Sequence, residues 1–255
     1  METAHPPQRR VSVVLGSPID ALTLDEAIAR IQTWASSAQS RTVCICNAHS
    51  VVTAGQDAEF AAAIAQADMA TPDGAPVAWM LRKLGAPNQQ RVSGPDLMIE
   101  YLSRAAATGE PVYLYGSAPP TLESLVTRLR HSYPGLRIAG HESPPFRPLS
   151  AEEDAETVAR INGSGARTVW VSLGCPKQEK WMAAHRGRVN AVMVGVGAAF
   201  DFHAGTLPRA PRWMRDNGLE WLHRLASEPG RLWKRYLVTN TLFVVGAARQ
   251  LLTRG

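Results

Sequence analysis

The feature that most constrains this chain of 255 residues is an alternation. Short runs rich in β-branched and apolar residues are separated by amphipathic stretches of helix length, the pattern of a parallel sheet covered by helices. Strands are predicted over residues 11–15, 42–46, 111–115, 136–139, 168–173 and 191–196. The first helix opens at Thr23-Leu-Asp-Glu26, a capping-box spacing, and runs to about residue 35. Further helices are predicted over residues 58–67, 75–84, 95–107, 121–131, 151–161 and 178–185. The fold class is α/β, and no internal repeat interrupts it.

Charge divides the chain where the alternation ends. From Ala204 onward nine basic residues face three acidic ones, a surplus of six, whereas the whole chain carries only +5. Trp213, Trp221 and Trp233 interleave with the arginines of this stretch, and residues 237–252 are apolar on most faces. About 20 apolar residues are needed to span a bilayer, so the last segment reads as a helix in the membrane interface or one packed on the sheet. We therefore divide the chain into a catalytic α/β domain, residues 1–203, and a basic helical appendage, residues 204–255. The opening Met1-Glu-Thr-Ala-His-Pro-Pro-Gln-Arg-Arg10 is polar, unlike a signal peptide or a span, so a cytoplasmic location is expected. Cys44 and Cys46 alternate inside an apolar run and, with Cys175, lack ligand spacing; they read as core residues of a reducing compartment.

Ligands bind at the carboxyl ends of parallel strands. Three expected ends carry glycine: Gly116, Gly174 and the pair Gly195 and Gly197. Glycine admits close approach of a ligand, and a following helix offers free amides to an anion. No stretch matches a Walker pattern, and Gly195-x-Gly197 lacks the third glycine of a dinucleotide fingerprint. Asp73 ends an apolar stretch and reads either as an Asp-Gly turn or as a carboxylate at a strand end, able to take a proton. Asn47 and Asp201 follow expected strand ends and serve equally as caps or as ligand contacts. Lys177 opposes the dipole of the helix that it begins, so it either has an anionic partner or is solvated. No Asp-x-Asp pair exists, and Glu152-Glu-Asp-Ala-Glu156 reads as a solvated helix start. A diphosphate ligand is therefore expected to meet amides and arginines, with no metal and no cofactor.

Taken in order, these segments resemble the WecG/TagA/CpsF family of bacterial glycosyltransferases. The matching stretches begin with Pro72-Asp-Gly74, Arg91-Val-Ser-Gly94, Tyr133-Pro-Gly135 and Gly174-Cys-Pro-Lys-Gln-Glu179. They continue with Gly195-Val-Gly197, Phe200-Asp201, Ala204-Gly205, Arg209-Ala-Pro211, Gly218-Leu-Glu-Trp221, Arg224, Glu228-Pro229 and Arg231. The resemblance implies a Rossmann-like domain with a membrane-meeting helical appendage. It also implies inverting, metal-independent transfer from a UDP-sugar to an undecaprenyl-diphosphate-linked sugar, with the protein held on an anionic membrane surface. Asp73 matches the family's base, and Asn47, Arg91, Gln178 and Asp201 match positions lining the donor and acceptor pocket. Arg224, Arg231 and either Lys234 or Arg235 match appendage residues that engage diphosphate. Ile45 stands where the family often has Thr, so that hydroxyl is missing or supplied elsewhere, for instance by Ser50. A nucleotide-dependent oxidoreductase would need a dinucleotide fingerprint, and a nucleic-acid-binding module would not need polar groups at strand ends.

Overall fold

The computed structural model describes residues 9–253, except the side chains of Arg231 and Arg235. The opening residues 1–8 and Arg254 of the basic tail lie outside this description. Six strands form one parallel sheet in the order β4-β3-β8-β7-β5-β6. They are β3 (Arg41–Cys46), β4 (Met69–Pro72), β5 (Pro111–Gly116), β6 (Arg137–Glu142), β7 (Thr168–Ser172) and β8 (Val192–Gly195). Helices cover both faces, as the alternation requires.

The side-chain period of two splits β3 between two cores. Val43 and Ile45 join one hydrophobic cluster with α1 (Leu24–Ser36), α5 (Gly94–Thr108) and α6 (Pro119–Ser132). Cys44 and Cys46 join the other, with α3 (Ala58–Ala65), α4 (Gly74–Lys83) and α8 (Lys177–Ala184). Both cysteines are buried as expected, and burial pushes their thiols well above the usual range, which keeps them protonated. The Thr23 capping box is present, its side chain accepting from the Glu26 amide. Ser150 makes a second box with Glu153 at the start of α7 (Ala151–Gly163). In that helix start Glu152 faces solvent as expected, but Glu153 pairs with Arg147 at 2.7 Å, and Asp154 pairs with His185 at 2.8 Å and Arg188 at 2.6 Å.

The first strand corrects the sequence reading. β1 (Val11–Val14) does not enter the parallel sheet; it pairs antiparallel with β2 (Ser17–Asp20) through a turn at Leu15 and Gly16. Both turn residues have positive φ, 46° and 88°, as a two-residue hairpin requires. Gln250 holds the turn: its side chain accepts from the Leu15 amide at 2.9 Å and donates to the Val13 carbonyl at 2.7 Å. The hairpin is pinned to the sheet by Asp20, which is fully buried. Its carboxylate accepts from the Ala70 amide of edge strand β4 at 2.7 Å and pairs with Arg9 at 2.7 Å and Arg30 at 3.3 Å.

After α9 (Ala199–Ala204) come α10 (Arg212–Asp216), α11 (Glu220–Ser227) and α12 (Pro229–Leu252). α12 buries one face and leaves the other exposed. Leu232, Thr239, Phe243 and Ala247 are buried, and the helix packs along α2 (Ala48–Ala54). Leu237, Val238, Leu242, Val244 and Val245 are exposed on the other face. Among the described residues no helix is long and apolar enough to cross a membrane.

Removing one partner of a buried ion pair strands the other and costs about 3–5 kcal/mol. Asp20→Ala is therefore expected to destabilise the chain by about 3 kcal/mol, seen as a lower urea midpoint at unchanged m-value. A loss under about 1 kcal/mol would show that the hairpin does not depend on this carboxylate.

Candidate active site

The carboxyl ends of β4, β3, β8, β7 and β5 lie side by side and carry the expected site residues in that order. Asp73 follows β4 and Asn47 follows β3, and these strands pair up to Cys46 and Pro72. The Asp73 amide donates to the Cys46 carbonyl at 3.0 Å, which holds the two ends together. Gly195 and Gly197 end β8 next to β3, while Gly174 and Gly116 follow along β7 and β5. Sequence reading missed β4 as a strand because it is four residues long and ends on a proline, which only an edge strand tolerates.

Asp73 occupies the N-cap position of α4, yet its carboxylate closes no capping hydrogen bond. The simple turn-and-cap reading is thus not what the side chain does. It is half-buried, and burial, the Glu220 charge and the Asp96 charge raise its pKa to about 6. Arg91 and the Gly74 amide pull the other way. A carboxyl so placed is ionised near neutrality yet more basic than a solvated aspartate.

Around Asp73 lies an ion-pair network that joins distant parts of the chain. Arg91, in the loop before α5, reaches Glu220 of α11 at 3.3 Å and Asp96 of α5 at 3.5 Å. Arg209 reaches Asp96 at 2.7 Å, and Arg215 of α10 reaches it at 3.4 Å. Burial works to raise the Asp96 pKa, but hydrogen bonds from Ser93 and Arg209 and the charges of Arg209 and Arg91 outweigh it, so it is lowered. Asp96, Arg209, Arg215 and Glu220 were given no site role from sequence, although Arg209 opens the quoted Arg209-Ala-Pro211. Asp96 stands three residues after Ser93, the capping spacing, and Glu220 lies inside the quoted Gly218-Leu-Glu-Trp221, so both had a local signal.

The remaining predicted residues differ in whether described contacts hold their side chains. Gln178 is buried; its side chain accepts from the Gly197 amide at 3.1 Å and donates to Glu179 at 2.9 Å. Ser172 donates to the Gly197 carbonyl at 2.9 Å, so the loop after β8 is clamped from both sides. Two of the glycines have packing reasons: a Cβ at Gly116 would run into the Ser172 backbone, and one at Gly195 would lie 2.8 Å from Met182 Cε. Asn47 caps α2, accepting from the Ser50 amide at 3.1 Å. Asp201 is half-buried in the first turn of α9.

Lys177 begins α8 exposed to solvent, and among the described residues no ion pair joins it. Arg224 lies with its guanidinium 5.6 Å from the Phe202 ring centre, beside α9. Lys234 is exposed on α12 over Trp233, with no contact to the Asp73 group among the described residues. The Arg231 and Arg235 side chains lie outside the described residues. Ser50 does not replace the hydroxyl missing at Ile45: it is buried and bonds Asn47 within the cap, while Ile45 packs into the α5-side core.

Two further facts bear on ligand chemistry. The Nε atoms of Arg209, Arg215 and Arg224 and His223 Nδ1 are buried without a hydrogen-bond partner among the described residues. The arginine Nε groups are donors that call for an acceptor, and a phosphate supplies several. Among the described residues no three His, Cys, Asp or Glu side chains are grouped as a metal site.

Residues 12–255 match the model of the WecG/TagA/CpsF glycosyl transferase family. The chain belongs to that family. Membership in the WecG/TagA/CpsF family makes it a glycosyltransferase, and places a nucleotide-sugar donor and a lipid-linked acceptor, in general terms, as the substrates.

Glu179 yields a test of the site's electrostatics. It is 2% exposed, its Oε2 has no partner among the described residues, and burial raises its pKa to about 7. Its folded pKa exceeds the unfolded value of about 4.3. The stability this gives is fully present below the unfolded value and is lost as pH rises through about 7. Glu179→Gln lacks that loss, so its stability relative to wild type should improve by on the order of 3 kcal/mol between pH 4 and pH 8. Urea unfolding at the two pH values measures this; parallel pH dependence of the two proteins would contradict it.

Proposed function

We propose that this chain transfers a sugar, with inversion and without a metal, from a UDP-sugar to a sugar carried on undecaprenyl diphosphate. The setting would be the synthesis of a bacterial surface polysaccharide. The observation that carries the reading is the Asp73 carboxylate: free of capping bonds, half-buried and raised to about 6 at a strand end. From β4 to β5 the carboxyl edge spans four inter-strand steps, about 19 Å, room for an extended nucleoside-diphosphate sugar.

In the proposed step Asp73 takes the proton of an acceptor hydroxyl, whose oxygen forms a bond to the anomeric carbon. The bond from that carbon to the β-phosphate oxygen breaks, and UDP leaves with its electron pair. Charge growing on the leaving diphosphate would be met by arginines with unpartnered nitrogens and by strand-end amides. Asn47, Gln178 and Asp201 stand where they can shape the sugar pocket, and Gly116 and Gly197 bring backbone close to it.

The exposed α12 face, with Trp213, Trp221 and Trp233 also exposed, supports docking on an anionic membrane at the inner leaflet. Apolar side chains would enter the interface while neighbouring lysines and arginines meet lipid phosphates, each contributing about 1 kcal/mol.

Two outcomes are expected. Asp73→Asn should lose about 10²–10⁴ in turnover while still binding UDP in calorimetry; near-wild-type turnover would remove Asp73 from the role. The double variant Leu237→Glu, Val244→Glu should no longer float with liposomes containing anionic lipid, yet should bind UDP as wild type does. Undiminished flotation would place membrane contact elsewhere.

A further inference from the structure

Glu179 is a buried carboxyl whose place packing alone does not explain. It lies in the first turn of α8, and its Oε2 has no hydrogen-bond partner among the described residues. Burying a carboxyl with an oxygen unpartnered costs stability, and an apolar side chain of similar length would fill the same space without that cost. The other oxygen, Oε1, accepts from Gln178 Nε2 at 2.9 Å.

The Gln178 amide is held at both ends. Its Oε1 accepts from the Gly197 amide at 3.1 Å while its Nε2 donates to Glu179, and the whole side chain is buried. The two ends of such an amide are nearly the same size, so hydrogen-bond partners, not shape, decide which way it faces. Flipped, Nε2 would face the Gly197 N–H, donor against donor, and Oε1 would face an ionised Glu179, acceptor against acceptor. The loop that this amide anchors runs from β8 to α9 and leads to Asp201. Ser172 donates to the Gly197 carbonyl at 2.9 Å, and a Cβ on Gly94, at the start of α5, would lie 3.2 Å from the Val196 carbonyl oxygen. A Cβ on Gly195 would lie 3.1 Å from Gln178 Nε2, so the amide rests directly on the end of β8.

We propose that Glu179 is a positioning residue for the reaction: by accepting from Gln178 Nε2 it locks the Gln178 amide in the orientation that holds Gly197, and so fixes the strand-end loop beside the sugar pocket. The inference rests on the reading of Gln178 and Asp201 as pocket residues. Glu179 acts through Gln178 and does not itself meet the substrate. Nε2 carries two N–H groups and gives one to Glu179, so a locked amide also presents the second in a fixed direction.

The test compares two full-length variants at pH 8. Glu179→Met fills the space and removes the acceptor, whereas Glu179→Gln keeps one. The reporters are the Gln178 side-chain NH₂ and the Gly197 amide, read by ¹⁵N NMR, with the Gln178 pair assigned by its loss in Gln178→Met. Both signals should be protected from solvent exchange in wild type and Glu179→Gln. In Glu179→Met the Gln178 pair should broaden or double, and the Gly197 amide should exchange about tenfold faster. Glu179→Met should unfold in urea no more easily than wild type, yet its kcat for sugar transfer should fall about tenfold, with Glu179→Gln within about threefold of wild type. A purely structural role gives the opposite pattern, a less stable Glu179→Met with unchanged signals, and overturns the proposal. If Glu179→Met does not fold, wild type and Glu179→Gln decide: a Gln178 pair exchanging as fast as an exposed glutamine in either overturns it, and protection kept in both supports it. The signals need no substrate, so altered signals in a folded Glu179→Met, where even wild type transfers no sugar, sink the functional reading and leave the clamp standing. Transfer by wild type that Glu179→Met does not slow removes the positioning role and leaves the functional reading intact.

Discussion

Three carboxylates, Asp73, Asp96 and Glu220, are gathered at one end of the sheet, and such a cluster would repel itself without cations among its members. Arg91, Arg209 and Arg215 supply them, at 2.7–3.5 Å for the closest contacts. The cations and anions come from the loop before α5, from α5, from the segment after α9, and from α10 and α11. Satisfying these charges therefore fixes where the C-terminal helices meet the sheet. Asp73 lies in the field of these charges, but burial is the first cause of its raised pKa.

The sheet provides the stage for this cluster through ordinary alternation. In β3, odd positions face α1, α5 and α6, while even positions face α3, α4 and α8. Both faces are buried, so every strand end emerges at a common edge, and the residues that follow β3, β4 and β8 become neighbours although they lie far apart in sequence. Gln178 and Ser172 fix the loop after β8, and the Cys46 carbonyl fixes the backbone of Asp73. Hydrogen bonds thus hold this edge, while among the described residues several appendage nitrogens have no hydrogen-bond partner.

The parallel sheet was legible because β3, β5, β7 and β8 carry apolar runs, such as Thr42-Val-Cys-Ile-Cys46, and because helices such as α1 and α7 open with capping boxes. The short β4 was not, because Met-Ala-Thr-Pro has neither length nor alternation to mark it. β1 was legible as a strand and misplaced, since its pairing depends on Gln250 and Asp20, residues that no local pattern connects to it. Asp73, Arg91 and Gln178 were singled out through ordered motifs, and they lie after β4, in the loop before α5 and in the first turn of α8. The network that surrounds them is made of long-range contacts, Arg91 to Glu220 and Arg209 to Asp96, which sequence spacing cannot show. Arg224 lies over the Phe202 ring of α9, whereas Lys177 and Lys234 are exposed, a difference in depth that their flanking sequence did not signal.

UDP release reports the sugar transfer itself. Purified protein is supplied with a panel of UDP-sugars and a synthetic polyprenyl-diphosphate-linked sugar, in EDTA. The account predicts release that requires the acceptor, favours one donor and persists without divalent metal. Release that ignores the acceptor, or that stops in EDTA and returns with a metal, would contradict it.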